Sequence, residues 1–85
     1  MENTTEKRVA VISIIVEEPD RVNQINEILH SASGYIIGRM GIPYREKDIS
    51  IISIVIDAPV NVINNISGKL GRLSGVTAKT AYSKA

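Results

Sequence analysis

The sequence predicts an α+β domain made of two strand–helix–strand halves, and three observations lead there. The stretch "VISIIVEEP" (11–19) returns forty residues later as "IISIVIDAP" (51–59), with Ile12, Ser13, Ile14 and Pro19 recurring as Ile52, Ser53, Ile54 and Pro59. After each copy, apolar residues fall at spacings of three and four: Val22, Ile25, Leu29 and Ala32, then Ile63, Ile66, Leu70 and Leu73. That spacing places each set on one face of a helix. Gly34 and Gly75 then stand at matching points beyond the two patterns, where a glycine commonly ends a helix.

Each half opens with about eight residues of Val, Ile, Ser and Ala. A β-branched run of that length reads as a buried strand, because branched side chains pack well on a pleated surface. Each run closes on an acidic residue, Glu17 or Asp57, followed two positions later by Pro19 or Pro59. Proline has no N–H and presets φ, so it is tolerated in the first turn of a helix and not in a central strand. The chain is therefore expected to leave the sheet near Glu17 and Asp57. Glu17, Glu18 and Asp20 also complement the positive end of the first helix dipole. Extended segments follow at "YIIGRMGI" (35–42) and "VTAKTAYS" (76–83), with the polar turn "PYREKD" (43–48) joining the halves.

Two such halves predict the ferredoxin-like βαββαβ sandwich, a four-stranded antiparallel sheet with both helices on one face. One domain is expected over residues 8–84, behind a flexible polar tail at 1–7. The first and third strands are expected at the centre, running parallel to one another. Alternation puts Val9, Val11, Ser13 and Ile15 on one face with Ile49, Ile51, Ser53 and Val55. The other face holds Ala10, Ile12, Ile14 and Val16 with Ser50, Ile52, Ile54 and Ile56. Helices cover one face only, yet both are apolar. The expectation is that the Ser13/Ser53 face lies outside and is buried by another copy of the protein, as a dimer or tetramer.

Composition narrows the function. Ten basic and nine acidic side chains leave a net charge of +1. Nucleic-acid binding needs a concentrated basic field to release counterions from phosphate, and the sequence shows none. The chain has no Cys, which removes disulfides, thiolate nucleophiles and thiolate metal sites. Tyr35, Tyr44 and Tyr82 are its only aromatics, so the central strands lack the stacking residues of an RNA-binding sheet. Apolar runs are far shorter than the roughly 20 residues that cross a bilayer, and no basic-then-apolar leader opens the chain. A cytoplasmic location is expected.

Few residues point to chemistry. His30 is the single histidine, too few ligands for a zinc or nickel site within one chain. "EEPDR" (17–21) lacks the alternating acidic pattern of a calcium loop. No metal and no cofactor are expected. No serine stands in a recognisable nucleophile arrangement. An acylphosphatase of this fold needs an anion-cradling loop after the first strand, where this chain has the acidic "EEPD". Gly68 and Gly71, one turn apart in the second helix, suggest a close packing contact there. "GYIIGRMGIPY" (34–44) is the unusual stretch: Gly38 and Gly41 interrupt a strand around Arg39, flanked by Tyr35 and Tyr44. Beside a backbone without side chains, the guanidinium suits a carboxylate or phosphate. The alternative is a bulged edge strand with Arg39 in solvent or in an intersubunit pair.

Taken together, "KRVAVISIIVEEPDRVNQINEILH", "GYIIGRMGIPYREKDISIISIVIDAP" and "SGKLGRLSGVTAKTAYSK" resemble the iron-only hydrogenase system regulator family, over about residues 7 to 84. "YIIGRMGIPY" is the most specific piece. The resemblance implies a stand-alone ACT-like domain, related in shape to the effector domain of nickel-responsive repressors. Such domains commonly bind a small effector where subunits meet, near the first strand–helix loop, here Glu17–Asp20. It therefore implies a non-enzymatic regulator, transcriptional or acting on the hydrogenase system. Joined to the reading of the glycine-rich strand, it gives Glu17, Asp20, Tyr35, Arg39 and Tyr44 as effector-binding candidates. A ligand-free protein–protein adaptor is the alternative, and a small hydrolase such as an acylphosphatase a more distant one.

Overall fold

The computed structural model describes residues 6–84. The chain runs β1 (Lys7–Val16), α1 (Val22–His30), β2 (Ile36–Tyr44), β3 (Ile49–Pro59), α2 (Val60–Gly71) and β4 (Val76–Tyr82). The strands form one antiparallel sheet in the order β2-β3-β1-β4. This is the expected ferredoxin-like sandwich. Residues 1–5 of the expected tail lie outside the described residues, and Lys7 already opens β1.

The central pair is antiparallel, which corrects the expected parallel pairing of the first and third strands. The reason is chain direction. The α1 crossover brings β2 back parallel to β1 with a gap of one strand between them. The turn after β2 then reverses the chain, so β3 fills the gap running against both neighbours. Facing sets survive the correction, because Ser13 pairs with Ser53, Val11 with Val55 and Ile15 with Ile51. The even positions Ala10, Ile12, Ile14 and Val16 are buried with Ile52, Ile54, Ile56 and Ala58.

The helices close that core through the predicted stripes. Ile25 and Leu29 of α1, Ala32 just beyond it, and Ile63, Ile66 and Leu70 of α2 are all buried. Val22 and Leu73 pack at its margin. Among the described residues no polar or charged side chain is buried, so the core is apolar throughout. Burying a side chain such as Ile12 or Ile54 contributes about 2 kcal/mol, and the sheet supplies most of these residues.

Several boundaries differ from the sequence expectation. β3 does not stop at Asp57 but continues to Pro59, which pairs with Lys7 at the sheet's end and then serves as N-cap of α2. A strand's last residue can be proline because its missing N–H is not needed by the ladder. Before α1, Pro19–Arg21 form a separate 3-10 turn. α1 ends at His30, and Gly34 sits in a second 3-10 turn, Ser33–Tyr35, without positive φ. Pro43 and Tyr44 belong to β2, leaving Arg45–Lys47 and the left-handed Asp48 to make the turn.

The glycines divide sharply. A Cβ on Gly71 would meet open space and one on Gly68 only an ordinary contact with Arg72 at 3.7 Å, so the close helix contact expected there is absent. Gly75 is the constrained one. Its φ is +74°, and a Cβ would lie 2.5 Å from Glu18 Cγ. Gly75→Ala should therefore destabilise the protein by about 2 kcal/mol through left-handed strain and displacement of Glu18. Gly68→Ala should stabilise it by about 1 kcal/mol through helix propensity. Urea unfolding of both variants at one protein concentration checks the opposite signs.

Candidate functional site

Two regions carry the structure's chemistry: the sheet face opposite the helices, and the end of the sheet where β1 and β2 finish. The uncovered face is apolar to an unusual extent. Val9 and Ile15 of β1, Ile51 of β3, and Met40, Ile42 and Tyr44 of β2 are all large and exposed, Met40 at 58%. Scattered exposed apolar side chains are ordinary, but a set gathered on one sheet face marks an interaction surface. The Ser13/Ser53 face is thus the outer one, as expected.

A bulge in β2 decides which of its side chains join that face. Ile36 pairs with Ile56 on the helix side, yet Gly38, two residues on, pairs with Val55 on the outer side. Ile37 is the extra residue, 64% exposed. One inserted residue flips every later side chain to the opposite face. Met40 and Ile42 consequently lie outside, opposite Ser53 and Ile51, and Tyr44 lies opposite Ile49. Arg39 turns to the helix side, opposite Ile54. Its Nη2 donates to Asn26 Oδ1 on α1 at 2.5 Å. Of the alternatives for this stretch, the bulged edge strand is present, with the guanidinium tied to α1.

At the end of the sheet, the loop after β1 is held to the loop before β4. The Glu17 N–H donates to Gly75 O at 2.7 Å. Ser74 Oγ donates to the Glu18 carboxylate at 3.2 Å from Oε1 and accepts from Arg21 Nη2 at 2.9 Å. Arg21 Nη2 lies 3.3 Å from Glu18 Oε1, and its Nε donates to Ser74 O at 3.3 Å. The Glu18 carboxylate is therefore engaged across the loops, where the sequence reading had it complementing a helix dipole. Glu18, Arg21 and Ser74 form a polar clasp that sequence reasoning missed, although Gly75, expected to end the second helix, marked one side of it.

The five candidate residues occupy three places. Glu17 and Asp20 lie in the loop after β1, and Tyr44 ends β2 at the same end of the sheet, since Val16 pairs with Ser50 and Tyr44 with Ile49. Tyr35 stands in the turn before β2, at the opposite end and roughly 25–30 Å along that strand from Tyr44. Arg39 lies between them on the helix side. Glu17, Asp20, Tyr35, Arg39 and Tyr44 are all exposed. One chain does not gather them around a common point. His30 is exposed at the end of α1, and among the described residues no group of three or more His, Cys, Asp or Glu could hold a metal. Among the described residues no helix is long and apolar enough to cross a membrane.

Ser74→Ala should lower stability by about 1 kcal/mol, the usual net value of a hydrogen bond whose charged partner stays solvated. Amide exchange should speed up at Glu17 and Val76, with the strand centres unchanged.

Comparisons with known proteins agree with this geometry. Residues 8–80 match the TM1266-like family, described as "Iron-only hydrogenase system regulator, putative". A solved structure of the uncharacterized protein TM1266 from Thermotoga maritima is 40% identical, with a TM-score of 0.89, covering 93% of this chain and 100% of that one. The ACT domain of the GTP pyrophosphokinase from Chlorobium tepidum has the same fold at 17% identity, with a TM-score of 0.62, covering 94% of this chain and 90% of that one. CPII from Thiomonas intermedia K12, solved bound to ADP, AMP and acetate, is 14% identical with a TM-score of 0.51, covering 92% of this chain and 90% of that one. No curated protein matches.

Proposed function

The chain belongs to the TM1266-like family of iron-only hydrogenase system regulators, and on that premise we propose that it is a cytoplasmic, non-enzymatic regulatory module that binds a small effector where its subunits meet. The observation that carries this reading is the uncovered apolar sheet face, with exposed Val9, Ile15, Met40, Ile42, Ile51 and Tyr44. A domain of this size has a modest core, and self-association through such a face adds burial that it cannot obtain alone.

The effector is placed at the rim of that face, at the end that Glu17, Asp20 and Tyr44 share. Glu17 and Asp20 supply carboxylates for an amine or for a bridge to the neighbouring subunit. Tyr44 supplies a ring and a hydroxyl. Arg39 on the helix side and Tyr35 at the far end of β2 reach the same ligand only from a further copy in a tetramer, not from the copy stacked on the sheet face. There Arg39 offers a guanidinium for a carboxylate or phosphate. Two neighbours of the same fold support the reading: one is an ACT domain, and CPII was solved with ADP, AMP and acetate bound. An output on transcription would pass through a protein partner, since the net charge of +1 supplies no field for phosphate.

Native mass spectrometry of protein gently purified from its own cells tests this directly. The expected result is a dimer or tetramer carrying a stoichiometric extra mass. A bare oligomer would favour an adaptor that works by protein contacts alone. Arg39→Ala removes one exposed hydrogen bond to Asn26 and should cost less than about 1 kcal/mol of stability. It should nevertheless reduce the retained effector severalfold. Unchanged retention removes Arg39 from the site.

A further inference from the structure

The internal repeat and the strand register coincide at one point. Equivalent positions of the two repeated strands stand forty residues apart, and β1 pairs with β3 in antiparallel register. Ser13 and Ser53 are the only equivalent positions that are also direct cross-strand partners; Ile12 pairs with Ile54 and Ile14 with Ile52. The approximate twofold axis relating the halves of the central pair therefore passes between the two serines, normal to the sheet. Across the outer face they form one row with their outer neighbours, Lys79, Ser13, Ser53 and Met40. The rows on either side carry Val11 with Val55, and Ile15 with Ile51. A polar pair thus sits at the centre of an apolar face.

We propose that a second copy of this chain stacks on this face with its dyad along the strands, so that the Ser13/Ser53 pairs of both copies meet at the centre of the interface. This deepens the self-association in the proposed function and rests on that reading. Across the two central strands the polarity pattern is self-complementary: hydroxyls fall on hydroxyls, and the Val11/Val55 and Ile15/Ile51 pairs on their counterparts. Each hydroxyl both donates and accepts, so at the ~10 Å spacing of stacked sheets the two pairs are bridged through water held between them, where one pair against an apolar surface would be left dry. A few buried polar groups in an apolar interface also set its register.

The area is sufficient. Four strands about 4.8 Å apart and about eight residues long at ~3.3 Å each present roughly 500–600 Å² per copy. The total of roughly 1,100 Å² lies at the lower end of specific interfaces. Sheets stacked face to face keep their strands within about 30° of each other, which allows the dyad to lie along or across them. Lys79 decides between the two. A dyad across the strands puts Lys79 of one copy over Lys79 of the other, like charges facing in a desolvated row. A dyad along the strands carries each Lys79 to the other copy's Met40, where its methylene stem packs on an apolar side chain. That orientation also brings the Glu17 and Tyr44 ends of both copies to one end of the assembly, where the effector is proposed to bind.

The protein's lack of cysteine makes the test clean. Ser13→Cys, Ser53→Cys, Lys79→Cys and Met40→Cys are each treated with a short bis-maleimide at micromolar protein, with Asn65→Cys on the exposed side of α2 as control. Circular dichroism verifies the fold of each. Ser13→Cys and Ser53→Cys should each link to themselves at least about a hundredfold faster than the control, because the dimer raises the local thiol concentration towards millimolar. Lys79→Cys should link only slowly to itself but rapidly to Met40→Cys in an equimolar mixture. Rapid self-linking of Lys79→Cys overturns the dyad. Control-level rates at Ser13 and Ser53 in a protein that still sediments as a dimer overturn this interface and leave the effector reading standing. A monomer with control-level rates overturns both. Rapid serine linking in a protein that carries no extra mass sustains the interface and overturns the effector reading alone.

Discussion

The antiparallel pairing of β1 with β3 carries the rest of the molecule. Ten residues of β1 are matched from Lys7 with Pro59 to Val16 with Ser50, and each edge strand adds to one member of that pair. The ladder holds its register because of what it buries. Ile12, Ile14, Ile54 and Ile56 are fully enclosed beneath the helices, and a slip of β1 by one residue would turn Ile12 and Ile14 to the outer face and bring Ser13 into the core. An unpaired hydroxyl there costs on the order of 1–3 kcal/mol, in addition to the lost burial. Register, face assignment and helix placement follow from one alternation.

The same alternation leaves an apolar surface that the two helices cannot cover. The bulge at Ile37 extends it: by flipping the later part of β2, it adds Met40, Ile42 and Tyr44 to the outer face and removes Arg39 from it. Without the extra residue, the charged side chain would stand opposite Ser53 and the apolar ones would face α1. Arg39 instead holds Asn26 across to α1 and pins the edge strand to the helix layer. This face is the surface on which the proposed self-association rests.

The end of the sheet has a different character. Gly75 adopts a positive φ and has no side chain, which lets the Glu18 side chain lie against it while Ser74 and Arg21 hold the carboxylate. The loop near Glu17 and Asp20 is thereby fixed at its base and exposed at its tip. A loop anchored in this way presents carboxylates at a defined place, as the proposed effector site requires.

By itself the sequence determined the two-half architecture, the helix faces, the exposed Ser13/Ser53 side and the family, because periodicity, β-branched runs and glycine and proline placement are written locally. It also pointed to the unusual edge strand, through Gly38 and Gly41. Only the tertiary structure decided the antiparallel direction of the central pair, since direction depends on which strand fills the gap between two others. It alone extended β3 to Pro59, which survives in the sheet because it sits at the ladder's end. It alone showed that Tyr35 and Tyr44 lie at opposite ends of a strand, that Arg39 faces α1, and that Glu18 clasps Ser74 and Arg21. Each of these turns on contacts between residues distant along the chain, or on a one-residue bulge that flips every side chain after it, and local pattern carries neither.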